Sequence, residues 1–343
     1  MLVSGQGPHV NISNYSRFIA DGCYRYCRFG DSSLKYQVTC ISMNRENVMS
    51  AACCPASAMG VFMYRIVRKE VLNPAVKLLE VEAPYVARKA EPGQFIILRI
   101  SEEGERIPLT IADYDREKGT VTIIFQEVGK TTSMLGMLEE GDHILDFAGP
   151  LGKASHLEGV RKAVVIGGGL GTAIAYPQAK KLHELGAEVD VITGFRNSGL
   201  ILLEKELKQV SSRLFITTDD GSNGNKGFVT DVLRKLLEEG NRYDLAIAIG
   251  PLIMMKMVSL LTKEYGIKTI VSMNPVMIDG TGMCGGCRVT VGGKVKFACV
   301  DGPDFDGHEV DFDEAMRRQA MYRAQEKRSM EEHVFRLGGV RNG

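Results

Sequence analysis

From Tyr64 onward the apolar positions fall into short runs separated by turn residues. The stretches 64-YRIVRKEVL-72, 76-VKLLEVEA-83, 94-QFIILRIS-101, 106-RIPLTIADYD-115, 120-TVTIIFQEV-128 and 143-HILDFAG-149 read as strands, set apart by Pro, Gly, Asp and Asn. Their spacing predicts an antiparallel barrel. At residue 161 the rhythm changes to buried strands followed by amphipathic helices: 162-KAVVIGG-168, 187-AEVDVITG-194, 213-RLFITT-218, 244-DLAIAIG-250 and 268-KTIVSM-273. Such alternation predicts a parallel sheet covered by helices on both faces. The expected fold class is therefore a β barrel plus α/β. Residues 276–310 read as loop with one hairpin, 288-RVTVGGKVKFAC-299, turning at Gly292-Gly293. A charged helix over 313–335 follows.

Residues 1–62 carry no sustained helical or strand period, yet hold five of the eight cysteines, Cys23, Cys27, Cys40, Cys53 and Cys54. The pair Cys23 and Cys27 has the look of a metal half-site, but no second pair at ligand spacing follows it. Disorder or a non-native leader is the competing expectation, with Met63 as the start of ordered patterning. The remaining boundaries are 63–158 for the barrel, 159–275 for the α/β domain, 276–310 for the later cysteines and 311–343 for the C-terminal helix and tail.

Composition narrows the function. The chain has 343 residues, with 42 Lys plus Arg against 42 Asp plus Glu, so no basic field gathers nucleic acid or anionic lipid. The longest uncharged apolar run, 245-LAIAIGPLIMM-255, meets Lys256 well short of the roughly 20 residues that span a bilayer. No signal-peptide pattern precedes the clustered cysteines, so a reducing cytoplasm suits them better than an oxidised secreted framework.

Three segments have the chemistry of anion or ring binding. In 162-KAVVIGGGLGTAIAY-176, Gly167, Gly168, Gly169 and Gly171 would let a pyrophosphate approach the backbone at a helix start. The dinucleotide fingerprint fails there, since Thr172 takes the third glycine position and no acidic residue ends 191-VITGFRN-197. Tight strand–helix packing is the bland alternative. Asp220 and the Gly250-Pro251 pair fall beyond later strand ends, where open α/β sheets bind ligands. Arg196 is either a phosphate contact or a solvated loop cation. In the barrel, Arg106 and Thr110 alternate onto one face of a strand, suiting a phosphate and a flavin edge. The stretch 129-GKTTS-133 (Gly129, Lys130, Thr131, Thr132) offers a second anion cradle at a helix start.

The segment 277-MIDGTGMCGGCRVTVGGKVKFACVDGP-303 supplies three thiols, Cys284, Cys287 and Cys299. Plant-type two-iron sites use C-x4-C-x2-C and a distant fourth cysteine. Here Asp279 takes the first slot, and a carboxylate oxygen can complete an iron's coordination. The glycines around it would let the loop wrap a cluster. Two alternatives stand beside this: Asp279-Gly280 as a simple turn, and zinc held with a histidine, although no histidine is nearer than His308.

Together these residues resemble the ferredoxin-NADP reductase superfamily from Met63 to about residue 333. Within it they look like the FAD- and 2Fe-2S-containing subunits of dihydroorotate dehydrogenase B, sulfide dehydrogenase and NADH-dependent reduced ferredoxin:NADP oxidoreductase. The resemblance implies that 106-RIPLT-110, with Arg106, Pro108, Leu109 and Thr110, holds FAD, with 129-GKTTS-133 at its pyrophosphate. It implies NAD(H) at Gly167–Gly171 and Thr172, with Asp220, Gly250 and Pro251 on surrounding loops, and a 2Fe-2S cluster on Asp279, Cys284, Cys287 and Cys299. Dihydroorotate dehydrogenase subunits resemble C-G-x-G-x-C-x-x-C, whereas this chain has 279-DGTGMCGGC-287. Aspartate plus three cysteines is the pattern of the other two systems. The resemblance further implies an electron-transferring oxidoreductase with no catalytic side chain. It would work in a heterodimer or larger complex with a bigger flavin and iron–sulfur subunit, and would reach ferredoxin through that partner. The rivals are the dihydroorotate system, a self-contained NAD(P)H reductase and a zinc-binding interaction protein.

Overall fold

The computed structural model describes residues 15–20, 23–28, 40–43, 49–50 and 63–340, with side-chain burial from 63 to 331. The chain divides into two compact units, Met1–Phe62 and Met63–Gly343. In the first, strands β1 (Tyr15–Ala20), β2 (Cys23–Arg28), β3 (Cys40–Met43) and β4 (Met49–Ser50) form an antiparallel sheet in sequence order. Patterning predicted no element there: YSRFIA and CYRYCR set apolar residues side by side as often as they alternate them with polar ones, and it is cross-strand pairing that defines these strands. Cys23 and Cys27 lie on β2 and Cys40 on β3, while Cys53 and Cys54 lie outside the described residues.

The second unit opens with strands β5 (Tyr64–Asn73) and β6 (Val76–Glu82) and a short helix α1 (Pro84–Ala87). Strands β7 (Phe95–Arg99), β8 (Ile107–Asp115) and β9 (Thr120–Gln126), helix α2 (Lys130–Met137), and strands β10 (His143–Ile144) and β11 (Asp146–Leu151) follow. Their order is β10-β5-β6-β9-β8-β7-β11. The two outermost strands are separated in sequence only by Leu145, so the sheet is rolled until its edges meet in one continuous stretch of chain. Leu79, Val81, Ile96, Leu98, Ile111, Val121, Ile123, Phe125 and Phe147 fill the interior. Leu78, Ala112 and Ile124 instead pack against Ala173, Phe195 and Leu202, making an apolar seam with the next domain.

That domain contains β12 (Lys162–Gly168), α3 (Gly171–Glu184), β13 (Glu188–Phe195), α4 (Glu204–Val210), β14 (Arg213–Thr218), α5 (Val229–Glu238), β15 (Leu245–Ile249), α6 (Leu252–Glu264) and β16 (Thr269–Ser272). The cysteine segment adds a hairpin, β17 (Arg288–Val291) and β18 (Lys294–Phe297), then helix α7 (Ala298–Asp301) and strand β19 (Asp304–Asp306). Sheet order is β14-β13-β12-β15-β16-β19, parallel except for β19 at the edge. The hairpin turns at Gly292 and Gly293, whose φ of +57° and +70° suit the two-residue turn expected there. One feature differs from expectation: the terminal helix is two helices, α8 (Phe312–Gln319) and α9 (Arg323–Val340). Phe312, Ala315 and Met316 pack on the core, but Met321 and Tyr322 are exposed. The apolar face that pins α8 therefore ends, and the chain turns before continuing.

The edge strand ties the parts together. Asp304 on β19 accepts hydrogen bonds from Ser155 Oγ at 2.6 Å, in the loop leaving the barrel, and from Gln178 Nε2 at 2.9 Å, on α3. Burial pushes its carboxyl up to about 6. Among the described residues no helix is long and apolar enough to cross a membrane.

Candidate functional site

A cleft of about 1000 Å³ opens between barrel and parallel sheet. One wall is barrel: Phe95, Pro108, Leu109, Thr110 and Gln126. The other comprises Gly168–Gly171, Arg196, Asp219, Gly250, Pro251 and Met254. The second wall follows from topology. Strands β13 and β15 flank β12, and the chain leaves β12 and β13 toward one side and β15 toward the other, so their carboxyl ends form the crevice where α/β sheets take ligands.

The glycines there have distinct reasons. A Cβ on Gly168 would stand 2.5 Å from Met254 Sδ, and one on Gly171 2.3 Å from the Ile249 carbonyl, so these two let the β12 and β15 turns pass closely. Gly167 is held bare by Thr172, which is fully buried beneath the turn with its hydroxyl unpartnered among the described residues. Gly169 is different: its φ is +55° and a Cβ there would meet nothing within 4 Å. It presents bare backbone to the open cleft, as close approach of a pyrophosphate requires.

Of the residues expected to bind cofactor, Pro108, Leu109, Thr110, Gly168, Gly169, Gly171, Arg196, Gly250 and Pro251 line this one cleft. Arg106 does not; it is exposed at the residue before β8. Gly129, Lys130, Thr131 and Thr132 are also outside the cleft wall, at the start of α2. There the Thr132 hydroxyl accepts the N–H groups of Val128 and Gly129 at 3.1 and 3.0 Å, and Thr131 donates to Glu105. Asp220 is outside the cleft wall, its Oδ1 accepting the Ser222 N–H at 2.9 Å, and the hydrogen bonds from Ser222 hold its carboxyl below the ordinary value. Asp219 lines the cleft in its place. Phe95 was missed by the sequence reading; it is the cross-strand partner of Thr110, a relation only pairing register reveals.

The four candidate iron ligands form two pairs. Cys287 and Cys299 are buried with their sulfurs 3.2 Å apart. Burial, reinforced by Cys287, pushes the Cys299 thiol up to about 12. Asp279 Oδ2 accepts the backbone N–H groups of Met283 and Cys284 at 3.0 and 3.2 Å, and Oδ1 that of Thr281 at 3.3 Å. Although burial opposes it, hydrogen bonds from Cys284 and Thr281 hold the Asp279 carboxyl below its ordinary value. Asp279 thus does make the local turn that the bland alternative describes, and it makes that turn around Cys284. Among the described residues no three His, Cys, Asp or Glu groups converge on one point as a single ion would need. Two pairs of donors, anionic once iron displaces the thiol protons, are instead what two irons, each with two protein ligands, require. The residues therefore fit a two-iron cluster better than a lone zinc.

This loop rests on the barrel. A Cβ on Gly280 would stand 2.7 Å from Leu151 and 2.9 Å from Ile97. Phe95, Ile97, Ile166, Met273, Met277, Cys287 and Cys299 belong to one apolar core shared by barrel, sheet and cysteine segment.

Comparison with known proteins agrees with this architecture. Residues 274–311 match the iron–sulfur cluster binding domain of dihydroorotate dehydrogenase B. An uncharacterized protein in the adh 3′ region of Clostridium beijerinckii is 57% identical over 77% of this chain and 92% of its own length. The electron transfer subunit homolog of dihydroorotate dehydrogenase B (NAD(+)) from Thermotoga maritima is 46% identical over 81% of this chain and 98% of its own length. Among solved structures, a chain of the NADH-dependent reduced ferredoxin-NADP oxidoreductase, studied for flavin-based electron bifurcation, is 45% identical with a TM-score of 0.76. That match covers 80% of this chain and 99% of that one.

Proposed function

The chain belongs to the family of dihydroorotate dehydrogenase B electron-transfer subunits, and from that premise we propose that it is the small subunit of an NADH-dependent ferredoxin:NADP oxidoreductase of the electron-bifurcating type. In that role it passes electrons between NAD(H), FAD and a 2Fe-2S cluster, beside a larger flavin and iron–sulfur subunit in a reducing cytoplasm. A flavin exchanges hydride with a nicotinamide and single electrons with a cluster, so it belongs between them. The chain's own work is positioning. Phe95 and Thr110 offer one wall to a ring, Gly169 offers bare backbone to a pyrophosphate, and Asp279 with Cys284, Cys287 and Cys299 offers four donors to iron.

The observation that carries the proposal lies on β7. Phe95 faces the cleft, while Ile97, two residues along, touches Gly280 beside Asp279. Cleft and cluster loop are thus backed onto one strand, the short separation electron transfer needs. The test is anaerobic titration of the purified protein with NADH, following flavin and iron–sulfur absorption together. Both should bleach; a flavin that reduces while an intact cluster stays oxidised at equilibrium, despite a suitable potential, would sink the proposed route.

The electron-transfer role in dihydroorotate oxidation is the second candidate, favoured by the match of residues 274–311. Asp279 in the first ligand slot is the feature that argues for the ferredoxin system. Purification with the native large subunit separates the two: dihydroorotate-dependent NAD reduction by that complex would establish the second.

A further inference from the structure

One half-buried cation, Arg318, has a buried N–H that the fold leaves unaccounted for. Arg318 lies on α8, whose start is fixed by the Asp311 carboxylate accepting the Glu314 N–H at 2.8 Å and by an ion pair of Asp313 with Lys256 on α6 at 2.8 Å. From there its Nη2 reaches the cysteine loop and donates to the Gly286 carbonyl at 3.2 Å. Its Nε is buried and has no partner, and among the described residues no carboxylate forms an ion pair with it. Gly286 in turn donates its N–H to Cys284 Sγ at 3.4 Å, so one residue connects the guanidinium to a candidate iron ligand. Arg288, the cation next to Cys287 in sequence, is exposed.

A dry, unpaired N–H on a half-buried guanidinium carries a cost that a nearby negative charge would offset. Among the described residues no carboxylate lies within ion-pair distance of it. The donor set of Asp279, Cys284, Cys287 and Cys299 does supply charge once it holds iron: two ferric ions, two sulfides and four anionic ligands leave a net dianion, which becomes more negative by one on reduction. We infer that Arg318 is the built-in counter-charge of the cluster, a positioning residue that sets its reduction potential by favouring the form carrying the extra electron. This rests on the two-iron reading of the segment. The step is a plain one-electron reduction, the electron arriving from the flavin and no bond breaking. Arg318 lies near the ligands without being one, and its charge is the same in both redox states.

The test compares Arg318→Gln and Arg318→Lys with the unaltered protein, reading cluster content from visible absorption and EPR intensity, and the midpoint potential from a dye-mediated titration. With Coulomb attraction screened by an effective dielectric of about 20, Arg318→Gln should disfavour cluster reduction about tenfold, which for a one-electron couple is about 59 mV. The flavin potential should stay in place. Arg318→Lys keeps the charge while losing the fork, and should remain near the original potential. A Gln variant with a full cluster and an unmoved potential overturns the inference, and so does a Lys variant displaced as far as Gln. If Arg318→Gln retains no cluster, the Lys variant decides alone: an unmoved potential supports the charge role and a lowered one overturns it. Unaltered protein lacking iron–sulfur absorption after anaerobic reconstitution would instead bring down the two-iron reading, a failure distinct from either.

Discussion

Asp279 caps its own turn with the same carboxylate that is proposed to fill the first of four ligand slots. Substitutions can separate the two roles. Asp279→Asn keeps an acceptor for the turn but surrenders the charge, so it should shift the EPR signal and midpoint potential of the cluster. Asp279→Cys, restoring C-x4-C-x2-C, should retain a cluster with a different potential. If Asn leaves both quantities unmoved, the turn is the residue's whole role. At the nucleotide side, Gly169→Ala adds a methyl into open cleft at a φ of +55°. It should raise KM for NADH several-fold at unchanged FAD content, because the methyl obstructs the approach of the pyrophosphate, on top of the strain an alanine meets at that φ. Arg106, exposed at the entry to β8, is proposed to meet the FAD phosphate. Arg106→Ala should then lose flavin on gel filtration while far-ultraviolet circular dichroism is retained.

Elements were legible wherever the pattern was long enough. Strands β12 and β14 fall on the residues expected, because an uninterrupted apolar run bounded by charge or Gly has few other readings. Strand β19 was not legible: Asp304-Phe305-Asp306 offers one apolar residue between two acids, and it becomes a strand only by pairing with β16. The two-helix end was hidden for a related reason, since charged residues predict a helix without saying where tertiary contact stops. At the site, the glycine turn and the cysteine spacing were readable as local motifs. Phe95, Asp219 and Arg318 were not, since their placement depends on partners distant in sequence. The β19 pairing also has a pH signature. The Asp304 carboxyl, held up to about 6 by burial, keeps its proton in the folded state where an unfolded aspartate releases it near 4. The folded state binds more protons in that window, so stability falls as pH rises from about 4 to above 6, by roughly 2–3 kcal/mol for such a shift. Asp304→Asn should flatten that slope in melting temperatures taken across pH 4.5–7.

At the scale of the molecule, Met63–Gly343 forms a compact unit separate from Met1–Phe62. A chain beginning at Met63 should therefore bind FAD and the cluster at full stoichiometry and keep NADH oxidation, measured against an artificial acceptor. Loss of the cluster on that truncation would assign work to the leader cysteines. The fold class was visible in the alternation of strands and helices. That the parts are joined through a common interior was not, because it depends on which faces of β6, β7 and β9 turn outward.

On the proposed ligand set, that common interior would make cofactor assembly and chain maturation one event. Cys287 and Cys299, the proposed ligands, are also packed core, alongside Ile166 of the nucleotide sheet and Phe95 of the barrel. Iron that links them cross-braces all three, and its binding free energy becomes folding free energy. A newly made chain in an iron-starved cell would thus lack a keystone, and its nucleotide site would be among the parts left loose.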